Sequence, residues 1–236
     1  EKASPVKRFF EGTNEVILKI VHYLMYLAPI GTFALIATVF VQNSDNFSEL
    51  IVAIGKYSFT VIIALLIVIS ISVFLAYFFG KKKPIDFLKG IAPAQLLAFS
   101  TRSSAAALPV NMECVKNKVG VDKEVTSFVL PLGATINMDG TSCYQAVAAV
   151  FIANVYQMDL DLMDQLSIVL TATLASIGSA AVPGAGMVML AIVLGQLNVP
   201  MVGIALIIGV DTLLDMCRTV VNVTGDAMVA TVIGSK

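Results

Sequence analysis

Charge is scarce in this sequence. Only 13% of its 236 residues are Asp, Glu, Lys or Arg and 58% are hydrophobic, against roughly 25% and 45–50% in soluble domains. That balance excludes an ordinary water-soluble domain and makes the lipid bilayer the expected surroundings. Tyr57 to Gly80 has no charge at all, and at about 1.5 Å per helical residue it is longer than the ~30 Å hydrocarbon core. With a net charge of -1 and no basic patch evident along the sequence, nothing points to nucleic acid as a partner. The three cysteines, Cys114, Cys143 and Cys217, form no CxxC pair and read as packing thiols. The single His22 has no carboxylate or cysteine near it in sequence, so transition-metal chemistry is unsupported. The chain opens on Glu1 without a signal-peptide pattern and is expected to be the latter part of a longer protein.

The few charges fall between apolar segments and orient them. Val16 to Gln42 reads as a first span, broken near Pro29 and Gly31, and Leu50 to Phe79 as a second. Lys2, Lys7 and Arg8 precede the first, Asp45 and Glu49 join the two, and Lys81, Lys82 and Lys83 follow the second. The positive-inside rule then puts the N-terminus and the triple lysine in the cytoplasm. Gly90 to Met112 has Lys89 on one side and Lys116, Lys118 and Lys123 on the other. One crossing cannot satisfy both ends, whereas a re-entrant hairpin turning at 100–104 can, provided its tip is buried in protein or lines a wet cavity. From Val125 the chain crosses outward to a loop with Asp159, Asp161 and Asp164. The uncharged run from Gln165 to Val210 accommodates a second hairpin turning at 178–186 before a last helix that ends inside at Lys236.

A repeat supports this layout. Ser104-Ala105-Ala106-Ala107-Leu108-Pro109 and Gly178-Ser179-Ala180-Ala181-Val182-Pro183 resemble each other. Each precedes a polar interruption, at Asn137-Met138-Asp139-Gly140-Thr141 and at Asp215-Met216-Cys217-Arg218-Thr219. The expected fold is therefore an all-α integral membrane protein built on an inverted repeat of hairpin plus broken helix, an arrangement that secondary transporters use. Two transmembrane helices occupy 1–80. A transport core fills 81–236, with hairpins at about 84–119 and 160–198 and broken helices at about 124–156 and 200–235.

In the last helix Asp211, Asp215, Arg218, Asn222 and Asp226 recur at steps of four, three, four and four, which puts them on one stripe. A charge at the centre of a spanning helix costs on the order of 2.5–3.5 kcal/mol on insertion scales, so such residues face a cavity or one another. The bland alternative is an ion pair of Asp215 or Asp211 with Arg218 that only holds helices together. Against it, the stripe has three carboxylates to one arginine, and Asp139 with Arg102 add an opposed pair elsewhere. Arg218 offers a planar fork for a carboxylate, and Asp215, nearly one turn earlier, is placed to accept an ammonium. Together they describe an acidic amino acid. Asp226 and Asp139 are hard oxygen ligands, and carbonyls freed around 133–137 and 176–179 would suit Na+ beside them. Backbone N–H groups at the hairpin tips favour anionic groups.

Thr101-Arg102-Ser103-Ser104 through Leu108-Pro109, Asn137 to Thr141, Val182-Pro183-Gly184-Ala185-Gly186, and Asp215 to Thr219 followed by Asn222 and Asp226 resemble the glutamate transporter family, the dicarboxylate/amino acid:cation symporters, notably its archaeal and bacterial sodium-coupled members. The resemblance covers the C-terminal part of the family's pattern, without its four preceding helices. It implies a multi-pass protein of the plasma membrane, homotrimeric when full-length, in which the core slides as an elevator against a scaffold. It implies that Arg218 holds the substrate's side-chain carboxylate and Asp215 its amino group. Met138, Thr141, Thr219 and Asn222 would complete the pocket, with Arg102, Ser103 and Ser104 from the first tip and Val182, Pro183 and Gly186 from the second. One Na+ would meet Asp226 with carbonyls of Gly133, Asn137 and Asn222. A second would meet carbonyls of Thr135, Ser176, Ile177 and Ser179, and a third Asp139 and Asn137.

Ala105 interrupts the family's serine run. Gln145 stands where members that also move a proton and potassium have glutamate, so sodium coupling without those steps is expected. A dicarboxylate or neutral amino acid symporter of the same family is the nearest alternative, disfavoured by the presence of both Asp215 and Arg218. Enzyme chemistry is not expected: an intramembrane aspartyl protease would need its two acids free of a nearby arginine, and Val223 breaks the required GxGD pattern. An ion channel would need a ring of carbonyls or charges from several subunits.

Overall fold

The computed structural model describes residues 4–42 and 47–235, leaving Lys2, Asp45 and Lys236 of the loop-charge reading, and the side chain of His22, outside the described residues. The described residues are predominantly helical and contain no strand. The chain divides into two compact units, Glu1–Phe47 and Ser48–Lys236.

The first unit contains one helix, α1 (Ser4–Gln42), of 39 residues with Pro29 inside it. The sequence suggested a start at Val16 and a break near Pro29 and Gly31. The helix instead starts twelve residues earlier and runs through the proline, which forfeits one backbone bond without ending the helix.

The second unit begins with α2 (Phe47–Phe78), in which Ser48–Phe78 is the one stretch of described helix long and apolar enough to cross a membrane. A turn through Gly80 leads to α3 (Pro84–Thr101), which starts on a proline at its first position, where no intrahelical N–H is needed. Arg102 takes a left-handed conformation, φ 54°, and reverses the chain directly into α4 (Ser104–Cys114). Ser103 caps α4 by accepting the Ala106 N–H. The hairpin expected at 100–104 is thus a two-residue reversal, and α3 and α4 pack side by side. A π-helical turn (Val115–Val119) closes on Gly120 at φ 78°.

α5 (Lys123–Ile136) and α6 (Asp139–Val155) are separated by Asn137 and Met138, which have non-helical backbone angles. That is the first interruption read from the sequence. α7 (Leu162–Ile177) starts with Asp161 and Asp164 exchanging side-chain and backbone hydrogen bonds at 2.8 and 3.1 Å. After the turn at 178–184, α8 (Ala185–Gln196) packs back on α7.

The last helix, α9 (Ile204–Ile233), is continuous. The second interruption, expected at Asp215–Thr219, is absent. That stretch has neither proline nor glycine, and Thr219 Oγ1 donates back to the Asp215 carbonyl at 2.8 Å, so its polar side chains leave the helix laterally without freeing backbone groups. α9 is the axis of the unit and packs against α3, α4, α5, α6 and α8. Its polar stripe runs among apolar cores, of which two are large. One joins Tyr57, Val61 and Leu65 of α2 to Tyr144, Ile152, Ile168, Leu190, Ile207 and Leu214. The other joins Phe87 and Ile91 to Val115, Val119, Leu130, Ala227 and Ala230. Many large apolar side chains point outward instead, among them Phe59, Leu66, Phe74, Phe128, Leu170, Leu174 and Val188.

Candidate functional site

All five members of the α9 stripe are buried, none more than 5% exposed. Burying so many polar groups is costly unless each finds a partner, and their partners divide the stripe into two clusters.

The first cluster surrounds Arg218. Its Nη2 donates to Asp215 Oδ1 in a buried ion pair at i, i+3, the pairing the sequence left open as a structural alternative. Its guanidinium carbon stands 4.5 Å over the ring of Tyr144, a stacked arrangement suited to a planar cation. Asp215 Oδ2 accepts the backbone N–H of Gly184, which is left-handed at φ 76° and precedes α8. A Cβ at Gly186 would lie 2.6 Å from Arg218 Cζ, so that glycine leaves the guanidinium its place. Gln145 Nε2 holds the Gly186 carbonyl at 3.0 Å.

The two tips meet above this pair. Ser103 Oγ donates to the Ala181 carbonyl at 2.7 Å, and the Ala105 N–H reaches the same oxygen at 3.4 Å. Beneath them a tight cavity of about 10 Å³, room for about one water, is lined by Arg102, Ser104, Met138, Thr141, Ser179, Ala180, Ala181, Val182, Gly186, Asp215, Arg218, Thr219 and Asn222. Ten of the twelve expected substrate residues therefore line one space. Of the other two, Ser103 joins the tips and caps α4, and Pro183 lies beside Gly184 at the edge. Arg218 Nη1 is buried and has no hydrogen-bond partner.

Asn222 links this cavity to the interruption between α5 and α6. Its Oδ1 accepts the N–H groups of Gly140 and Thr141 at 2.8 and 3.3 Å, and its Nδ2 donates to Thr141 Oγ1 at 3.0 Å. It acts as an N-cap for α6 supplied from another helix, satisfying donors that a helix start leaves open.

The second cluster lies one turn further along α9. Asn137 Nδ2 donates to Asp226 Oδ1 at 3.1 Å. A Cβ at Gly133 would come 2.5 Å from Asp226 Oδ1, and one at Gly225 would come 2.9 Å from Asp139 Oδ2 and 3.1 Å from Asn137 Nδ2. Gly133, Asn137, Asp139 and Asp226, drawn from three helices, thus converge. Arg102 and Asp139, paired as opposite charges in the sequence, do not form an ion pair: Arg102 lines the cavity and Asp139 sits against Gly225. Among the described residues no three His, Cys, Asp or Glu side chains are arranged to hold a metal, so a cation here would rely on backbone and amide oxygens beside the carboxylates.

The remaining cation set is less gathered. Thr135 Oγ1 is exposed and bonds to the Leu132 carbonyl, and Ser176 Oγ bonds to the Thr173 carbonyl. The Ser179 N–H reaches the Ser176 carbonyl at 3.1 Å. Ile177 ends α7. α5 and α7 are in contact, and Ser179 itself lines the cavity.

Sequence reasoning missed Tyr57, Tyr144 and Ala181. Tyr57 and Tyr144 hydroxyls and Asp211 Oδ1 are buried without a geometric hydrogen bond, and Asp211 lies close enough to Arg218 and Tyr144 to interact electrostatically. A signal for Tyr144 was present: Thr141, Tyr144 and Gln145 form a polar face at i, i+3 and i+4 of α6. Ala181 acts through its carbonyl, which no side-chain pattern reveals.

A family model described as the sodium:dicarboxylate symporter family matches residues 1–236. The chain is 45% identical over 234 residues to excitatory amino acid transporter 1 of Ambystoma tigrinum, covering 99% of this chain and 43% of that protein. It is 43% identical over 235 residues to excitatory amino acid transporter 2 of Mus musculus, covering 99% and 41%, and 42% identical over 234 residues to an excitatory amino acid transporter of Caenorhabditis elegans, covering 99% and 46%. The chain therefore spans less than half the length of these curated relatives. With a family match over its whole length and relatives at 42–45% identity, the chain belongs to the sodium:dicarboxylate symporter family.

Proposed function

We propose that this chain is the substrate-binding part of a secondary active symporter that carries aspartate or glutamate across the plasma membrane together with Na+. The observation that carries the reading is the buried Arg218, paired on one side with Asp215 and unpartnered at Nη1, facing a cavity closed by two helical tips. An unsatisfied guanidinium nitrogen in a buried place calls for an acceptor, and a carboxylate is the acceptor its fork fits best.

In this reading the substrate's side-chain carboxylate takes Arg218, and its ammonium takes the carboxylate of Asp215, which the arginine then shares or releases. Thr141, Thr219 and Asn222, with Met138, border the backbone of the amino acid, and the tips at Arg102–Ser104 and Val182–Gly186 cover it. A dicarboxylate would leave Asp215 facing a like charge, and a neutral amino acid would leave Arg218 unpaired, so both are disfavoured.

Na+ is the coupled substrate. Asp226 and Asp139 with Asn137 offer hard oxygens beside the carbonyls at the end of α5, which a helix C-terminus leaves open. Asn137 presents its amide nitrogen to Asp226; rotating that amide would present oxygen instead, converting the cluster from a satisfied hydrogen bond into a cation cradle. Carbonyls near Thr135, Ser176, Ile177 and Ser179 form the second proposed position, and those of Gly133, Asn137 and Asn222 complete the first.

The outward-pointing apolar side chains and the Ser48–Phe78 helix support a lipid surrounding, with α3–α4 and α7–α8 as re-entrant hairpins of an inverted repeat. The continuous α9 makes that repeat imperfect, because only its first half has an interrupted helix. A trimeric scaffold and an elevator motion belong to the same proposal. The test is uptake of labelled aspartate by the full-length protein in proteoliposomes under a sodium gradient. Uptake requires Na+ and is lost in Arg218→Ala. Uptake that ignores sodium, or that survives Arg218→Ala, refutes the reading.

A further inference from the structure

The end of the core at which α2 stops gathers stretches of chain far apart in sequence. Ser235 Oγ donates to the Phe79 carbonyl at 2.9 Å, and a Cβ at Gly80 would lie 2.8 Å from Thr231 Cγ2, so the end of α9 packs on the turn after α2. The π-helical turn packs on α3, with Lys118 Cβ 3.7 Å from where Gly90 would carry a Cβ. Lys82 Nζ lies 3.6 Å from the corresponding point on Gly120. Six lysines lie on these segments: Lys81, Lys82, Lys83, Lys89, Lys116 and Lys118. Five are exposed and Lys82 is half-buried.

None of the six is ion-paired within the fold. Asp86, Glu113, Asp122 and Glu124 are exposed at the same end, yet none lies within ion-pair distance of any of the six. Beside the lysines Phe78, Phe79 and Ile85 point outward, 64%, 54% and 65% exposed. Cations next to exposed aromatic and aliphatic side chains, immediately after a long apolar helix, are the composition of a membrane interface. A charge bias that only orients insertion acts through position in the sequence. It does not require the 81–89 and 116–118 segments to meet, nor a rare π-helical turn and a left-handed glycine to bring them together.

We infer that this basic rim binds the headgroup of an anionic phospholipid from the adjacent leaflet. The lysines would clamp its phosphates while the apolar flank contacts the upper acyl chains. The inference rests on the membrane reading above but not on the identity of the transported substrate.

The test is binding of a fluorescent phosphatidylinositol bisphosphate, against the matching phosphatidylcholine, by the full-length protein in detergent micelles, read by anisotropy. The anionic lipid binds in preference to the zwitterionic one, and more weakly as salt rises. Each lysine contributes about fivefold in affinity, so the double variant Lys82→Gln/Lys118→Gln weakens binding by about 25-fold. Lys82→Arg/Lys118→Arg retains it. Sodium-dependent aspartate binding by the same preparations persists in all variants, which keeps failure here distinct from failure of the transport proposal. Equal binding of the two lipids, undiminished binding by the glutamine variant, or equal loss in the arginine variant overturns the inference. Soluble inositol trisphosphate binding as tightly as the lipid would overturn the assignment to a membrane lipid.

Discussion

A methyl group at Gly186 separates the folding role of the second tip from its binding role. Gly186 is the second residue of α8 and has an ordinary negative φ, so Gly186→Ala does not strain the backbone. Alanine is favoured over glycine inside a helix by up to about 1 kcal/mol, so α8 itself gains stability. The new Cβ, however, would lie 2.6 Å from Arg218 Cζ and 2.9 Å from Nη2, where ordinary contact begins near 3.4 Å. The guanidinium must move by about 1 Å, away from its position over Tyr144 and its bond to Asp215. A hydrogen bond to a charged group is worth about 1.5–3 kcal/mol, so losing one to the substrate carboxylate weakens binding by about 10- to 150-fold. Calorimetric aspartate binding and thermal melting of the full-length protein read the two effects separately: affinity falls by that factor, while the melting temperature shifts by the difference between the gain in α8 and the loss at the displaced Arg218–Asp215 pair. Affinity within twofold of the parent would show that the substrate does not depend on Arg218 in this position.

Three further substitutions probe the neighbouring positions. Asn222→Ala removes the cap on α6 and lowers stability by about 1–2 kcal/mol, whereas Asn222→Asp keeps the acceptor and recovers most of the loss on melting; equal loss in both variants would rule out the capping role. Gly225→Ala drives a methyl against Asp139 and Asn137, and Asp226→Asn removes a carboxylate from the same cluster. Both raise the sodium concentration needed for half-maximal aspartate uptake by about tenfold or more, and an unaltered sodium response would remove this cluster from the coupling mechanism. Asp211→Asn takes away one of two acids interacting with buried Arg218, so the substrate-free protein melts lower by about 2–4 °C per kcal/mol lost. Added aspartate then raises its melting temperature more than it does in the parent; an identical shift would exclude a balancing role for Asp211.

The features legible in the sequence were those written in side-chain type and spacing. Ser100 to Ser104 announced a reversal because a polar run interrupts an apolar stretch between lysine-bearing ends, and the chain turns within it at Arg102 and Ser103. The α9 stripe was visible because five polar residues recur at helical steps, and all five are buried on one side. The expected break in α9 failed for a related reason. Asp215 to Thr219 resembles Asn137 to Thr141 in polarity, but only the latter contains a glycine, Gly140, packed so tightly that a Cβ would meet the Arg218 carbonyl at 2.6 Å. Polarity marks where a helix faces a cavity and does not by itself end the helix. The junction of the tips was invisible because its acceptor is the backbone of Ala181, and Tyr144 was overlooked because its role is to lie under a cation, which no titrating or metal-binding pattern signals.

The arrangement gives the proposed coupling a physical route. Asn222 stands between the two clusters on α9, one turn from Arg218 and one from Asp226, and holds the start of α6 just beyond Asn137 and Met138. A cation drawn to Asp226 and Asn137 would rotate the Asn137 amide and shift the short non-helical link. That link carries Met138 into the cavity wall and Thr141 into contact with Asn222. Substrate affinity would then respond to sodium through a link of two residues, with no change in α9. Because α9 is continuous, its two clusters stay in fixed register, and the conformational response falls on the side of the core where the helix is interrupted. Substitutions at Asn137 and Met138 therefore alter the sodium dependence of aspartate binding more than substitutions at equally buried positions of α9 such as Leu214 or Val221. The reverse ranking would place the coupling in α9 itself.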